Sequence, residues 1–292
     1  MVSSTKINSE PVVAFLIPLA SRQTKSDWKT ACVHLRQTLK SIQNSTNGNY
    51  CVVVAGHEPP DFDLCFDSRF HFLSLNHPVL SHENYHVSLR VRDKLTKIAA
   101  AWDYAKQTWN PGYVMKLDAD DFISSQLVDW LENSGGEPGY LIKQGWLWRS
   151  GSRYLIQRTE YFDRECGSCL ITRSDLADKS GPFLTELEGV PLDKDSSRFA
   201  AGDHYSLVPG SGISTLLLND SSIRYAAQFA YLGYKLSSVP FSAVVYRTAN
   251  PDSIEGPGRE RGQQIHTLRM LVGRIRRTRF ITTSLRREFM LE

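Results

Sequence analysis

The chain has 292 residues, of which 41% are hydrophobic and 22% are charged, and its formal net charge is +3; this excludes a disordered chain and allows one large core or two small ones. The longest apolar run, residues 11–20, is about half of the roughly 20 residues that a membrane-spanning helix needs, and residues 1–10 contain no hydrophobic signal segment. We therefore expect a soluble protein of the cytoplasm, without a nucleic-acid partner.

Strands and helices alternate in the first half of the chain. A continuous apolar run over residues 11–19 is typical of a buried parallel strand, and residues 27–42 predict a helix because apolar side chains recur at helical spacing. Two further buried strands are predicted over residues 50–55 and 70–75. Strand, helix and strand joined by short connections predict a βαβ unit and therefore a parallel sheet.

A second helix leads into the most informative strand. Asp93 caps this helix, which ends before Pro111. Residues 113–117 follow as a fourth buried strand, and Asp118-Ala119-Asp120-Asp121 comes directly after it. A further helix is predicted to begin at residue 124 or 125.

The second half of the chain predicts mixed structure. A hairpin is predicted around Gly151, because strand-like runs lie on both sides of it. The other predicted elements are a strand over residues 168–172, a helix from Asp220 to Gly233, a strand over residues 241–246 and a helical tail from Gln263. The expected segments are a flexible leader (1–10), two halves of the body (11–135 and 136–250), and a linker with a basic helical tail (251–292). The fold class that follows is α/β, with a mainly parallel central sheet flanked by helices and a mixed second half.

Asp118 and Asp120 lie where an open α/β sheet binds its ligands, beyond the carboxyl end of a strand. Alternation along an extended chain directs both side chains to the same side, separated by Ala119. Two carboxylates held so close together repel each other unless a cation lies between them. Mg²⁺ or Mn²⁺ suits such oxygen ligands and completes its shell with phosphates and water. The sequence therefore predicts a divalent cation that holds a phosphate-bearing ligand; the alternative is that these acids only cap the next helix, a role that also suits Asp121.

Other metal- and phosphate-binding motifs fit less well. A calcium-binding EF-hand loop that starts at Asp118 needs glycine at its sixth position and glutamate at its twelfth, where this chain has Ile123 and Asp129. Neither G-x-x-x-x-G-K-[ST] nor G-x-G-x-x-G occurs in the sequence. Cys166 and Cys169 have no second pair of ligands at similar spacing, so we expect buried or idle thiols rather than a zinc site.

Residues 92–124 contain the sequence RDKLTKIAAAWDYAKQTWNPGYVMKLDADDFIS, in which a helix, a strand and D-x-D follow one another. This stretch resembles the corresponding part of the GT-A fold glycosyltransferases, and most of all the inverting family-2 enzymes. The resemblance extends over residues 11–250, with a nucleotide-sugar-binding half (11–135) followed by an acceptor-binding half (136–250).

The resemblance implies how a donor and its metal are bound. Asp118 and Asp120 form the metal site: Asp120 ligates the Mn²⁺ or Mg²⁺ that bridges the diphosphate of a UDP- or GDP-sugar, and Asp118 contacts the ribose or a metal-bound water. Such a metal stabilises the leaving nucleoside diphosphate as its charge develops. The other implied donor-binding residues are Pro18, Leu19 and Ala20 at the nucleobase, and Arg92, Asp93 and Lys97 at the base or diphosphate.

Inverting transfer needs a general base near the acceptor hydroxyl. The family often takes this base from a Glu-Asp pair, and the matching place here is Gly202-Asp203-His204. Asp203 is therefore the candidate base, although Gly202 departs from the family pattern. His204 is the alternative, since its ordinary pKa lies near neutrality.

Two further features of the second half concern ligands. Arg247 is implied to clamp a diphosphate oxygen as a fixed cation, whereas Asn250 stands roughly where the family places a histidine ligand. Trp146 and Trp148 alternate along one strand and so share a face. This face either stacks on the sugar of an acceptor or packs in the core, and the sequence leaves both interpretations open.

The implied reaction moves a sugar from a nucleotide sugar to a hydroxyl of a saccharide or lipid-linked acceptor, with inversion. One alternative is a nucleotidyltransferase that forms sugar nucleotides, but such an enzyme needs a glycine-rich loop after the first strand, and residues 20–23 are not glycine-rich. The other alternative is a binding protein that kept the fold and lost turnover.

The basic tail is the remaining feature of the sequence. From Arg259 onward there are nine arginines and three glutamates, whereas the rest of the chain has 25 basic and 28 acidic residues. Residues 268–277 are amphipathic and basic, which favours peripheral contact with anionic lipid at the inner face of the membrane. The alternative is a solvated, arginine-rich helix.

Overall fold

The computed structural model of the protein describes residues 10–25, 27–64, 67–76, 87–179, 226, 229–248 and 277–292, excluding the side chains of residues 87–89, 91 and 92. The strands of these residues are β1 (Val13–Pro18), β2 (Tyr50–Gly56), β3 (Phe70–Ser74), β4 (Tyr113–Lys116), β5 (Phe122–Ile123), β6 (Gly139–Leu141), β7 (Gly145–Arg149), β8 (Tyr154–Arg158), β9 (Leu170–Arg173), β10 (Ser237–Ser238), β11 (Val244–Thr248) and β12 (Thr278–Phe280). The helices are α1 (Trp28–Gln43), α2 (Val87–Trp109), α3 (Leu127–Glu132), α4 (Ser174–Ala177) and α5 (Thr283–Phe289).

Seven strands form a central sheet in the order β10-β6-β9-β4-β1-β2-β3. β1 pairs in parallel with β2 and β4, and β2 pairs in parallel with β3. β9 lies antiparallel between β4 and β6, and β10 is parallel to β6. Six strands of this sheet therefore run in one direction and β9 runs in the other. The predicted α/β fold with a mainly parallel central sheet is confirmed.

The two faces of this sheet are covered by α1 and α2. On one face, the strand residues Phe15, Ile17, Val52 and Val54 share a core cluster with Leu35, Leu39 and Ile42 of α1. On the other face, Ala14, Leu16 and Val53 share a cluster with Leu95, Ile98 and Trp102 of α2. Alternate side chains of β1 thus enter opposite cores, which explains why its sequence is apolar throughout. Complete burial contributes about 1.5 to 3 kcal/mol for each large apolar side chain.

A second sheet has the order β12-β8-β7-β11-β5. β7 and β8 form the predicted hairpin, with Gly151 at a positive φ of 78° in the turn. The first arm of this hairpin is shorter than the sequence pattern indicates, because β6 belongs to the central sheet. Trp146, Trp148 and Leu155 lie on the face of this sheet that packs against the end of the chain.

The C-terminal segment forms part of this second core. β12 pairs with β8, and α5 brings Phe289 and Leu291 into contact with the core cluster that contains Trp146 and Trp148. The side chain of Asn44 donates a hydrogen bond of 2.7 Å to the carbonyl of Arg287. Within residues 277–292 the tail is therefore helical at Arg277 and over α5, and β12 between them is a strand because it pairs with β8.

Other differences from the sequence predictions concern boundaries. α2 begins at Val87, before the expected cap Asp93, and α3 begins after Gln126 rather than at residue 124 or 125. Three predicted stretches lie outside the described residues: residues 1–9 of the leader, most of the helix expected from Asp220, and residues 249–276 with most of the basic amphipathic stretch. In the described part of the chain, every helix is too short or too polar to cross a membrane.

Candidate functional site

The parallel strands β1, β2 and β4 end at the same edge of the central sheet, and Asp118 and Asp120 follow β4 at this edge. Their predicted place beyond the carboxyl end of a strand is confirmed. The expectation that residues 118–120 are extended, with alternating side chains, is wrong, because the chain turns at Ala119 and Asp120. The N–H of Asp121 donates to the carbonyl of Asp118 at 3.2 Å and closes this turn.

Asp121 fastens the turn from inside the protein. Its buried carboxylate accepts a 2.7 Å hydrogen bond from the Ser168 hydroxyl, a 3.2 Å hydrogen bond from the backbone N–H of Arg247, and a longer one from the thiol of Cys166. Ser168 Oγ in turn accepts the N–H of Asp118 at 2.9 Å. Burial raises the pKa of Asp121 well above its ordinary value, and the nearby Asp120 and Asp118 carboxylates add to this effect. Asp121 is thus an internal support and not the expected helix cap.

Arg247 supports the same turn from β11. Its guanidinium donates from Nε to the carbonyl of Asp120 at 3.1 Å, from Nη1 to Ser150 Oγ at 2.6 Å and from Nη2 to Gln37 Oε1 at 2.7 Å. The guanidinium also lies 4.9 Å from the ring centroids of Phe122 and Trp148. Since Arg247 is only 3% exposed, it has no open face for a diphosphate. The implied clamp is corrected: Arg247 positions the backbone of Asp120.

Lys94 also lies at the site, although the sequence alone does not identify it as a site residue. Its ammonium lies 2.5 Å from Asp118 Oδ1, and the two side chains are 23% and 27% exposed. Gly167 lies directly behind this pair: a Cβ added there would be 3.0 Å from Asp118 Oδ2 and 3.5 Å from Lys94 Nζ. The Asp118 carboxylate therefore faces a cation that the protein itself supplies.

Lys97, one turn further along α2, lies inside the protein. It is 1% exposed and its Nζ lies 2.6 Å from Asp93 Oδ2. Burial lowers the pKa of Lys97, and the Asp93 carboxylate opposes this by favouring the ammonium. Asp93 and Lys97 therefore form an internal ion pair, which corrects their expected contact with a donor. The backbone of Arg92 belongs to α2, and its side chain lies outside the described residues.

The end of β1 only partly matches the expected nucleobase pocket. Leu19 is buried in the core, and its N–H donates to the carbonyl of Ala55 at 2.8 Å. Its side chain is therefore a packing group and does not line a pocket. Pro18 and Ala20 are partly exposed at the carboxyl edge, where their contact with a nucleobase stays a prediction.

Trp146 and Trp148 are core residues. They are 9% and 3% exposed, and the ring of Trp148 packs edge-on against Phe122 while its Nε1 donates to the carbonyl of Ser152. Phe289 from α5 covers the same cluster. No open ring face is left for a sugar, so the acceptor-stacking interpretation of this pair is wrong and the packing alternative holds.

The candidate bases Asp203 and His204 lie outside the described residues, so their roles stay predictions. Cys166 and Cys169 are buried, as expected, and burial raises the pKa of both thiols. These cysteines are therefore poor candidates for a thiolate nucleophile.

Asp118 and Asp120 provide two partly exposed carboxylates for a cation. In the described ranges, no group of three or more histidine, cysteine, aspartate and glutamate side chains is placed to hold a metal ion. Mg²⁺ usually takes one or two protein carboxylates and fills the rest of its shell with phosphate oxygens and water. One or two such carboxylates could therefore serve a metal that also binds a phosphate ligand.

His34 on α1 makes the stability of the folded protein depend on pH. Burial lowers its pKa to about 4, and the nearby charges of Arg247 and Lys25 act in the same direction, opposed by Asp27. The unfolded chain takes up this proton near pH 6.5, so the folded state loses stability as the pH falls from about 6.5 to about 4.

Replacement of His34 by glutamine is expected to remove this pH-dependent loss. For a half-buried group we expect the loss to be about 1 to 2 kcal/mol after allowing for solvent screening. Urea unfolding at pH 7 and pH 4.5 measures it in both proteins. If the free energy of unfolding changes between pH 7 and pH 4.5 by the same amount in both proteins, His34 does not contribute to the pH-dependent loss of stability.

A scan against protein-family models and a search of curated proteins found no match for this sequence. Among solved structures, a structure of S. aureus TarS 1-349 is similar with a TM-score of 0.42 and 12% identity, over 80% of this chain and 60% of that chain. A second S. aureus TarS structure is similar with a TM-score of 0.43 and 12% identity, over 82% of this chain and 37% of that chain. The chain thus spans less than two thirds of either protein. At these TM-scores and identities the similarity carries no argument, and the function of this chain has to be inferred from its own residues.

Proposed function

We propose that this protein is a metal-dependent glycosyltransferase, which moves a sugar from a UDP- or GDP-sugar to the hydroxyl of a saccharide or lipid-linked acceptor, with inversion. One observation supports this most: Asp118 and Asp120 are partly exposed on a tight turn at the carboxyl edge of a parallel sheet, and Asp121, Ser168 and Arg247 support that turn from within. Rigid support of partly exposed acids is what a ligand site requires and what a simple helix cap does not.

The proposed chemistry divides between the metal and the chain. A bound Mn²⁺ or Mg²⁺ supplies charge neutralisation for the departing nucleoside diphosphate. Asp120 and Asp118 hold this ion, while Arg247 and Asp121 keep the backbone of the turn in place. Removal of the acceptor proton is assigned to Asp203, with His204 as the alternative base.

The loop after β1 argues against a nucleotidyltransferase. Glu58 accepts hydrogen bonds from Ser21 Oγ at 3.0 Å and from the N–H of Arg22 at 3.2 Å. The side chain of Arg22 is paired with Asp61. In that enzyme class, the amides of this loop would have to bind a triphosphate. Here the Glu58 carboxylate already accepts a hydrogen bond from one of these amides, the N–H of Arg22. The acceptor and the membrane contact of the basic tail stay predictions.

A ligand screen tests the proposal. UDP, GDP and their common sugar conjugates are added to the full chain with Mn²⁺ or with EDTA, and the melting temperature is recorded. A nucleotide sugar at 100 times its Kd is expected to add about 2.7 kcal/mol of stability with Mn²⁺, and little in EDTA. The proposal fails if no nucleotide or nucleotide sugar raises the melting temperature.

A further inference from the structure

We propose that Lys94 takes the place of a metal ion beside Asp118 when no metal is bound, and moves to the diphosphate when donor and metal bind. Lys94 would thereby couple the binding of the metal to that of the donor. This inference depends on the proposed function, and it assigns a positioning and binding role to a residue that the sequence patterns did not mark.

The contrast between two lysines of α2 supports this role. Lys94 Nζ lies 2.5 Å from Asp118 Oδ1, and both side chains are partly exposed at the carboxyl edge. Lys97 forms a similar bond with Asp93, but it is almost completely buried. A partly exposed ion pair is screened by solvent more than a buried one, so the bond between Lys94 and Asp118 is easier to break than the buried bond between Lys97 and Asp93. Lys97 and its partner Asp93 are enclosed by the protein, so a ligand cannot readily reach this pair.

Ser168 and Gly167 restrict the position of Asp118 beside Lys94. Ser168 Oγ accepts the backbone N–H of Asp118 at 2.9 Å. Gly167 approaches so closely that even a Cβ would be 3.0 Å from Asp118 Oδ2. With the backbone of Asp118 held and one side of its carboxylate closed, a cation that binds this carboxylate competes with the ammonium of Lys94.

Simple electrostatics predicts the consequence. A divalent cation at Asp118 is repelled by an ammonium a few ångströms away, so Lys94 weakens the binding of metal alone. A diphosphate brings negative charge, which attracts both the metal and the ammonium. Metal and donor should then strengthen each other's binding, by the same factor in both directions.

The test compares the full-length protein with Lys94→Met. Binding of Mn²⁺ alone is followed by the electron paramagnetic resonance signal of the free ion. We expect Lys94→Met to bind Mn²⁺ about tenfold more tightly than the unchanged protein, and to bind UDP or GDP about tenfold more weakly at saturating Mn²⁺. Lys94→Arg keeps the charge and should stay within about threefold of the unchanged protein for Mn²⁺.

Lys106→Met is the matched control, because Lys106 also lies on α2 and forms exposed ion pairs, with Asp103 and Asp178. It should leave both affinities unchanged. The inference is overturned if Lys94→Met and Lys106→Met bind Mn²⁺ equally. If the proposed function is wrong, the unchanged protein binds no nucleotide or nucleotide sugar. The titration with Mn²⁺ alone then still decides whether Lys94 competes with a metal.

Discussion

Replacement of Arg247 by methionine is expected to lower the free energy of unfolding by about 3 kcal/mol. A hydrogen bond to a charged group typically contributes about 1.5 to 3 kcal/mol, and the Arg247 guanidinium donates three such bonds to neutral, partly buried acceptors. Here Asp120 O, Ser150 and Gln37 each lose a hydrogen bond. Stacking between the guanidinium and the two aromatic rings is lost as well.

Arg247→Lys should recover little of this stability. The three nitrogens of the guanidinium reach three different acceptors in a planar arrangement that a single ammonium cannot reproduce. The control is Arg173→Met, since Arg173 forms a more exposed ion pair with Asp175 and should cost less than about 1 kcal/mol. Chemical denaturation measures all three variants. Equal losses for Arg247→Met and Arg173→Met would contradict the proposed supporting role of Arg247.

Replacement of Asp120 by asparagine is expected to weaken Mn²⁺-dependent binding of a nucleotide sugar by at least about 100-fold, since changes even in the groups around a metal's ligands cost about 10 to 100-fold. Stability should change by less than about 0.5 kcal/mol, because the side chain is partly exposed and of equal size. Isothermal titration at saturating Mn²⁺ measures the affinity.

Asp129→Asn provides the control for this substitution. Asp129 is an exposed acid on α3, and the same change of charge there should leave the affinity unaltered. If Asp120→Asn binds the nucleotide sugar as tightly as Asp129→Asn does, the carboxylate of Asp120 is not a metal ligand.

Most of the central sheet could be predicted from the sequence. The first four strands lie within two residues of their predicted ends, because strands buried on both faces have continuous apolar sequences. Short strands such as β5 and β12 could not be predicted. Two or three residues have no periodicity, and pairing with a distant strand determines their conformation.

The candidate site was predictable in part. Asp118 and Asp120 can be identified from the sequence because their position after a buried strand is a local property. Lys94 and Ser168 cannot, because their contacts with Asp118 depend on how α2 and the turn before β9 pack against β4. The sequence showed that Trp146 and Trp148 share a face, but α5, about 140 residues later, is what buries them.

The most direct test of the account is a crystal structure of the protein with Mn²⁺ and UDP or GDP, using the anomalous signal of manganese to locate the ion. The account predicts an anomalous peak roughly 2.1 Å from a carboxylate oxygen of Asp120, with a diphosphate oxygen on the same ion. Manganese and nucleotide bound away from the turn over residues 118–121, or a nucleotide bound there without the ion, would contradict it.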